Sequence, residues 1–421
     1  MNESSRTEPT ALDDIDRLRS PDEALAIVLE HAVPLGAERV ALHEAAWRVL
    51  AEDLVAPEDH PPFAAATMDG FAVVAEDVSP WREIIADQMA GSVISQQVTP
   101  GTAIRITTGA PVPDGADAVI PVEETELSED HVIIHTTNLT PGTNIRPIGA
   151  DLRRGDHLLS AGTLLGPAEL GLVAGVGRVP VPVGRRPRVS VISTGDELIE
   201  PGEHVGPGQI RDSNRFSLIA ALEAEGADIR WAGHALDVRD PLRALLLARI
   251  ADSDVVITSG GVSMGELDLV KALLVELAQV HFRRLFMKPG KPFTFATAGD
   301  DGRTLLFGLA GNPVSALAGF ELFVRPALAT LSGRTGWERP KVPVRLGHEV
   351  HPSDRIEYQR ATVRVGEDGA LLSTTTGAQG SSRLMSWIGA NALLIIPPRE
   401  GVYAAGERVE AMLLGAPLGS E

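Results

Sequence analysis

Between Thr258 and Asp268 the chain reads TSGGVSMGELD, a small-residue loop that ends in two carboxylates. Upstream, Ser253 to Ile257 (SDVVI) has the β-branched composition of a buried strand, and downstream Leu267, Val270, Leu273, Leu274 and Leu277 recur at helical spacing. A loop between the carboxyl end of a strand and the amino end of a helix is where open α/β sheets bind ligands. Backbone N–H groups freed by Gly260, Gly261 and Gly265 there could close on an anion such as phosphate. Glu266 and Asp268 would repel that phosphate unless a hard cation such as Mg²⁺ lay between them, so the residues describe a metal-bridged phosphate site. A plain glycine-rich βα turn with an acidic first helical turn accounts for the same residues, and the string is neither a Walker A loop nor a dinucleotide fingerprint.

Other loops offer groups to the same place. Thr194-Gly195-Asp196-Glu197, Asp212-Ser213-Asn214 and Gly311-Asn312-Pro313 read as loops at carboxyl strand ends and should converge at one crevice; Asp237 could join them or form a turn of its own. Lys288-Pro289-Gly290-Lys291 places two cations around a rigid turn, which suits a bound anion in an acidic protein. Further upstream, MDGFAV sets Asp69 beside Gly70 amid apolar neighbours, RITTGAPVP carries Thr107 and Thr108 into a turn, and NIRPIGAD ends on Asp151.

The elements that must position these groups follow from pattern and punctuation. After a tail over 1–15 that is expected to be disordered, Ser20-Pro21-Asp22-Glu23 announces a helix, and a second helical stretch is expected from Leu42 to Leu50. Residues 63–156 hold short β-rich pieces (SVISQQV, TAIRITT, ADAVIPV, HVIIHTT) and read as a small all-β domain. A helix after Gly166-Pro167 and a VPVPVG linker return the chain to the N-terminal helices, so 16–62 with 157–187 form a helical and linker domain. From 188 to 336 strands and helices alternate as in a doubly wound parallel α/β sheet, with helix starts at Ser213-Asn214 and Asn312-Pro313 and a kink or break at Pro326. Residues 337–421 alternate in short strands, as in a β-barrel or sandwich. The expected fold is therefore multidomain, α/β plus all-β.

Composition excludes several functions. Lys and Arg total 37 against 57 Asp and Glu, and the net charge of −20 disfavours nucleic acid or an anionic membrane surface as partner. With 0 Cys, disulfides, zinc–thiolate centres and cysteine nucleophiles are ruled out. No run reaches the roughly 18 apolar residues of a membrane span and the N-terminus lacks an apolar leader, so a cytoplasmic protein is expected.

Taken together and in order, MDGFAV, RITTGAPVPDGADAVI, NIRPIGADLRRGD, STGDEL, TSGGVSMGELD, KPGKPF, GNPVSAL and GAQGSSRLMS resemble the molybdopterin molybdenumtransferase family, which includes the C-terminal domain of gephyrin. The resemblance covers nearly the whole chain. It implies that adenylylated molybdopterin and molybdate yield molybdenum cofactor and AMP, assisted by Mg²⁺ or another divalent cation. By motif it implies catalytic roles for Asp69, Thr108, Asp151, Glu197, Asp237 and Asp268, with Glu197, Asp237 and Asp268 as metal ligands. Substrate would be held by Gly260, Gly261, Ser263, Gly265, Arg284, Lys288, Lys291, Asn312, Pro313, Arg360 and Ser381. It further implies a homodimer whose sites are shared between one subunit's α/β domain and the other's all-β domain. Molybdopterin adenylyltransferase and molybdoenzymes would be neighbours in the reaction sequence. The chain departs from the family at Ala310, usually proline, and at Ala150, commonly an acid. Molybdopterin adenylyltransferase activity and a non-catalytic cofactor-binding scaffold are the competing functions.

Overall fold

The computed structural model describes residues 15–136, 139–261 and 269–419, which fall into two compact units. One comprises 1–51, 162–166 and 180–421, and the other 52–161 and 167–179, so the stretches 16–62 and 157–187 are divided between them.

The larger unit is built on a six-stranded sheet. Its spatial order is Asp228–Ala235, Arg188–Thr194, Val255–Ser259, Thr304–Leu309, Pro292–Ala298, Gln279–Arg284. The first four strands are parallel; Pro292–Ala298 runs antiparallel to both its neighbours, Thr304–Leu309 and Gln279–Arg284, which corrects the expectation of an all-parallel sheet. A short Gly-containing turn at Gly299 and Gly302, both at positive φ, returns the chain directly and leaves no length for a crossover helix. Parallel strands buried on both faces are largely apolar, as Val255–Ser259 and Thr304–Leu309 are, whereas the edge strand Asp228–Ala235 is only partly buried and carries Asp228, Arg230 and His234. Val189, Val191, Val255, Ile257, Leu305 and Phe307 face one core, while Ile192, Val256 and Leu306 face a second, under the Arg239–Asp252 and Leu269–Leu277 helices.

The helix Pro21–His31 begins at Ser20, whose hydroxyl accepts from the Glu23 N–H at 3.2 Å, and buries Ala24 and Val28 in the first of these cores. Leu42 to Leu50 is not a helix. Only a 3₁₀ turn forms at Leu42–Glu44, because Trp47 adopts a φ of 59° and Val49 and Leu50 bridge to Leu164 and Val183. Nor is VPVPVG a linker: Val181–Gly184 pairs antiparallel with Ala37–Val40 and is bridged on its other side by Leu50, where the Pro182 carbonyl accepts from the Ala51 N–H at 3.1 Å. The Pro313–Leu331 helix runs past Pro326 by way of a π turn, Phe320–Val324, so it is continuous. Among the described residues it is the helix long and apolar enough to cross a membrane. Yet 83% of its apolar window is buried within the fold, as befits a core helix.

Five strands of the C-terminal region close on themselves in the order Ile356–Val365, Leu371–Thr375, Lys341–Leu346, Arg408–Leu413, Ala392–Ile396, the last pairing back to the first. The barrel reading holds. A sixth strand, Met287–Lys288, joins this barrel in parallel with Ile356 and Glu357 although it belongs to the α/β stretch, and Tyr358, Leu393 and Met412 enter the α/β core.

In the smaller unit a six-stranded sheet runs Ala118–Pro121, Gly70–Val73, Thr102–Ile106, Trp81–Gln88, His131–Ile134, Thr125–Ser128. SVISQQV contributes no strand; Trp81–Gln88 fills that place, its buried Arg82 and Gln88 having masked the pattern. The Pro167–Gly175 helix belongs to this unit.

Candidate active site

The order of the larger sheet reverses between Arg188–Thr194 and Val255–Ser259: from the first, the chain goes to one neighbour and then crosses to the other. At such a switch point the two flanking loops part and leave a crevice beyond the carboxyl ends of the strands. Here those loops are Gly195-Asp196-Glu197 and Gly260-Gly261. Gly260 has φ +94° and lies so close to the Thr194 carbonyl that a Cβ would collide with it. Gly260→Ala is accordingly expected to cost roughly 2–3 kcal/mol in denaturant unfolding, from strain and collision together, and a loss under 0.5 would mean the loop moves freely. The Gly260 N–H donates to Leu309 O at 3.1 Å, so it is not free for an anion as the sequence suggested. The glycine extends the strand ladder by one residue before the loop departs.

Asn214 ties the crevice together. Its Nδ2 donates to Ser259 Oγ and to Gly311 O, both at 2.8 Å, linking the ends of three loops. The Asp212-Ser213-Asn214 loop thus reaches the crevice as its sequence suggests, although neither Ser213 nor Asn312 makes a side-chain capping bond. Asp212 does that work instead, its Oδ1 accepting from the Arg215 N–H at 3.1 Å.

On the other side of the crevice the Asp237 N–H donates to Asp196 Oδ1 at 3.1 Å, and a nitrogen of the His234 ring lies 2.9 Å from Gly195 O. Asp237 therefore joins the Asp196-Glu197 loop, one of the two alternatives open from sequence. Its carboxyl is pushed above the usual range, by desolvation first and then by the negative charges of Asp196 and Glu197, with His234 acting the other way. The loop holds more negative charge than its surroundings balance.

From Gly311, where a Cβ would lie 3.6 Å from Gly260 Cα, the site continues along Asn312 and Pro313. The Val314 N–H donates to Ser381 O at 3.0 Å, bringing Ser381 of the barrel to the start of this helix. Gly290, φ +100°, packs against Met287 and the Ser315 backbone, so the Lys288 to Lys291 turn borders the same helix start. Lys288 is exposed and Lys291 half-buried. Arg284 ends the edge strand, and its buried Nε has no hydrogen-bond partner among the described residues. Arg360 is 1% exposed. Its guanidinium donates to Ser386 Oγ at 3.0 Å and to the Tyr358 and Gly380 carbonyls at 3.4 and 3.5 Å, and burial lowers its pKa to about 10. It braces the loop that carries Ser381. Ser263, Gly265, Glu266 and Asp268 lie outside the described residues.

In the smaller unit the antiparallel register sets Gly70 opposite Ile106, which brings Asp69 and Thr108 together. Asp69 Oδ1 accepts from the Thr108 N–H at 2.7 Å and from its hydroxyl at 2.9 Å; these two bonds hold the exposed carboxyl below its usual range. Gly70 is obligatory beside them, since a Cβ would strike the Ile120 carbonyl. Asp151 is exposed, with Arg146 at 3.3 Å from its Oδ2 and its N–H donating to His60 O.

Sequence reasoning passed over Glu357. The available signal was a carboxylate in the strand run EYQRATVRV, at a position now seen to be 5% exposed.

Three family descriptions match successive parts of the chain: MoeA N-terminal region (domain I and II) over 19–177, probable molybdopterin binding domain over 190–330, and MoeA C-terminal region (domain IV) over 343–414. The molybdopterin molybdenumtransferase of Haemophilus influenzae is 36% identical over 396 residues, 92% of this chain and 96% of that protein. That of Bacillus subtilis is 35% identical over 95% of each. Among solved structures, a molybdopterin biosynthesis MoeA protein from Pyrococcus horikoshii is similar with a TM-score of 0.80 at 32% identity, covering 95% of this chain and 100% of that one. Identity at this level, sustained across both units and the closed barrel, places the chain in the molybdopterin molybdenumtransferase family.

Proposed function

We propose that this chain is a transferase that inserts molybdenum from molybdate into adenylylated molybdopterin, releasing AMP and forming molybdenum cofactor. The observation that carries the reading is the switch-point crevice, where an acidic loop (Asp196, Glu197, Asp237) and a glycine-lined strand end (Gly260, Gly261) meet the Asn312-Pro313 helix start, with Lys288 and Ser381 alongside. Splitting a phosphoanhydride requires neutralised phosphates and a nucleophile held in line. Lysine and backbone supply the first, and an oxygen of bound molybdate is the nucleophile.

Mg²⁺ is the cation of this proposal. The donors at hand are all carboxylate oxygens, which suit a hard ion, and the mutual repulsion felt at Asp237 is what a cation would relieve. Glu197 and Asp237 would hold it with Asp268; among the described residues no three acidic or histidine side chains converge as a ready-made metal set. When bound, the cation would offset charge on the phosphates. The remaining work falls to the chain: Asn214 fixes the loops, and Lys288, Lys291 and Arg284 attract the anion.

The reading extends to a homodimer in which Asp69, Thr108 and Asp151 of one subunit serve the α/β crevice of the other, in the cytoplasm, with adenylyltransferase upstream and molybdoenzymes downstream. Incubation with adenylylated molybdopterin, molybdate and Mg²⁺ tests the reaction: molybdate-dependent AMP release is expected. Pyrophosphate release from ATP and molybdopterin would instead move the chain to the adenylyltransferase step, and stoichiometric binding without turnover would make it a scaffold.

A further inference from the structure

The Lys288 ammonium is held from the barrel. Because Met287–Lys288 runs parallel to Ile356–Glu357, with Lys288 opposite Glu357, the lysine Nζ lies 3.0 Å from Glu357 Oε1. The partners are unequal: the lysine side chain is 49% exposed and the glutamate's 7%. A buried carboxylate is costly unless its lone pairs are filled, and these are. The Gln359 amide donates to Oε2 at 2.6 Å and the Ser353 side chain also contributes a hydrogen bond. Burial pushes the carboxyl up, but the bonds from Gln359, Ser353 and Lys288 outweigh it and keep it ionised, below the usual range.

Stability does not account for such a pair, since one with a half-exposed lysine is strongly screened. Its geometry does more. Three bonds around one carboxylate, from Lys288, Gln359 and Ser353, fix where the charge sits, and the strand register fixes which lysine it faces. The neighbouring Gly290 packs on the Ser315 backbone at the start of the crevice helix. We infer that Glu357 is a positioning residue for the phosphate-cleaving reaction: it orients the Lys288 ammonium from beneath, so that the cation is in place before the anionic substrate arrives. The inference rests on the function proposed above. It also assigns the barrel a task, because the barrel's own strand sets the charge of the α/β site.

Lysine labelling of the full-length protein with an N-hydroxysuccinimide ester, read residue by residue by mass spectrometry, tests the hold without any substrate. Glu357→Gln should speed labelling of Lys288 by about threefold to fivefold and leave Lys291 unchanged, the latter reporting that the turn stays folded. Glu357→Asp keeps the charge but shortens the reach, and should act in the same direction. In AMP release, Glu357→Gln should lower kcat while KM for adenylylated molybdopterin stays level or falls, since one carboxylate no longer opposes the phosphates. In a Lys288→Ala background it should change kcat no further. Unchanged Lys288 labelling, a parallel rise at both lysines, or an equal kcat loss with and without Lys288 would each overturn the assignment. Should the wild-type protein release no AMP, the function falls, and the labelling still decides whether Glu357 holds Lys288.

Discussion

Asp237→Asn should lower AMP release about a hundredfold at limiting Mg²⁺, with much of the loss recovered at high Mg²⁺, and should leave the melting temperature equal or slightly higher. The two halves of this expectation come from one fact. Folding sets the Asp237 carboxyl beside Asp196 and Glu197, and its raised pKa says that the ionised form is less favourable there than in water. At neutral pH the folded protein therefore bears a desolvated carboxylate, opposed further by Asp196 and Glu197, that a neutral asparagine removes, so folding is not harmed. Because the side chain remains accessible to solvent, the gain is small. A cation would turn that repulsion into attraction, and asparagine would forfeit it. Glu197→Gln should behave alike. Near-normal turnover of Asp237→Asn at low Mg²⁺ would show that the acidic loop binds no metal in the reaction, and a large drop in melting temperature would show that the carboxylate is structural.

How far the sequence reached depends on what kind of force fixed each feature. Strand ends and helix starts of the α/β region were legible because buried apolar runs such as VVITS and TLLFGLA admit one reading, and because glycine at Gly195 and Gly260 marks where strands give way to loops. The antiparallel pair was not legible: KPFTFAT and TLLFGLA are as apolar as parallel strands, and only the shortness of the turn between them decides their direction. Val181–Gly184 was lost for the opposite reason, since two-stranded pairing with Ala37–Val40 overrides what its prolines suggest locally. Within the site, residues of conspicuous type in conspicuous loops were found. The loop of Asn214 was placed at the crevice, but the bonds its amide makes there, and Glu357 altogether, were not legible, because these roles come from partners 45 and 69 residues away in the chain. The setting of Arg360 was not legible from its type: this guanidinium is buried and donates to Ser386 and to two carbonyls inside the fold.

Co-expression of Asp69→Ala and Asp268→Ala chains should restore about a quarter of wild-type activity per subunit, although either variant alone is expected to be inactive. Asp69 belongs to the smaller unit, where Thr108 holds it by two hydrogen bonds, and its exposed, ionised carboxylate has no described partner beyond that threonine. The Thr258–Asp268 loop belongs to the larger unit. If a two-fold dimer builds each site from one subunit's smaller unit and the other's larger unit, a mixed dimer gathers both lesions in one site and neither in the other. Random pairing makes half of the dimers mixed, and half of the sites in those are intact, which gives the quarter. If each site lay within a single chain, every site in every dimer would carry a lesion, and mixing would restore nothing. Differently tagged chains, purified in tandem so that only mixed dimers remain, sharpen the contrast to one half against zero. Zero activity from such dimers, with each variant shown to be folded, would eliminate the shared site and leave the assigned reaction standing; a sedimentation profile of monomers alone would eliminate it sooner.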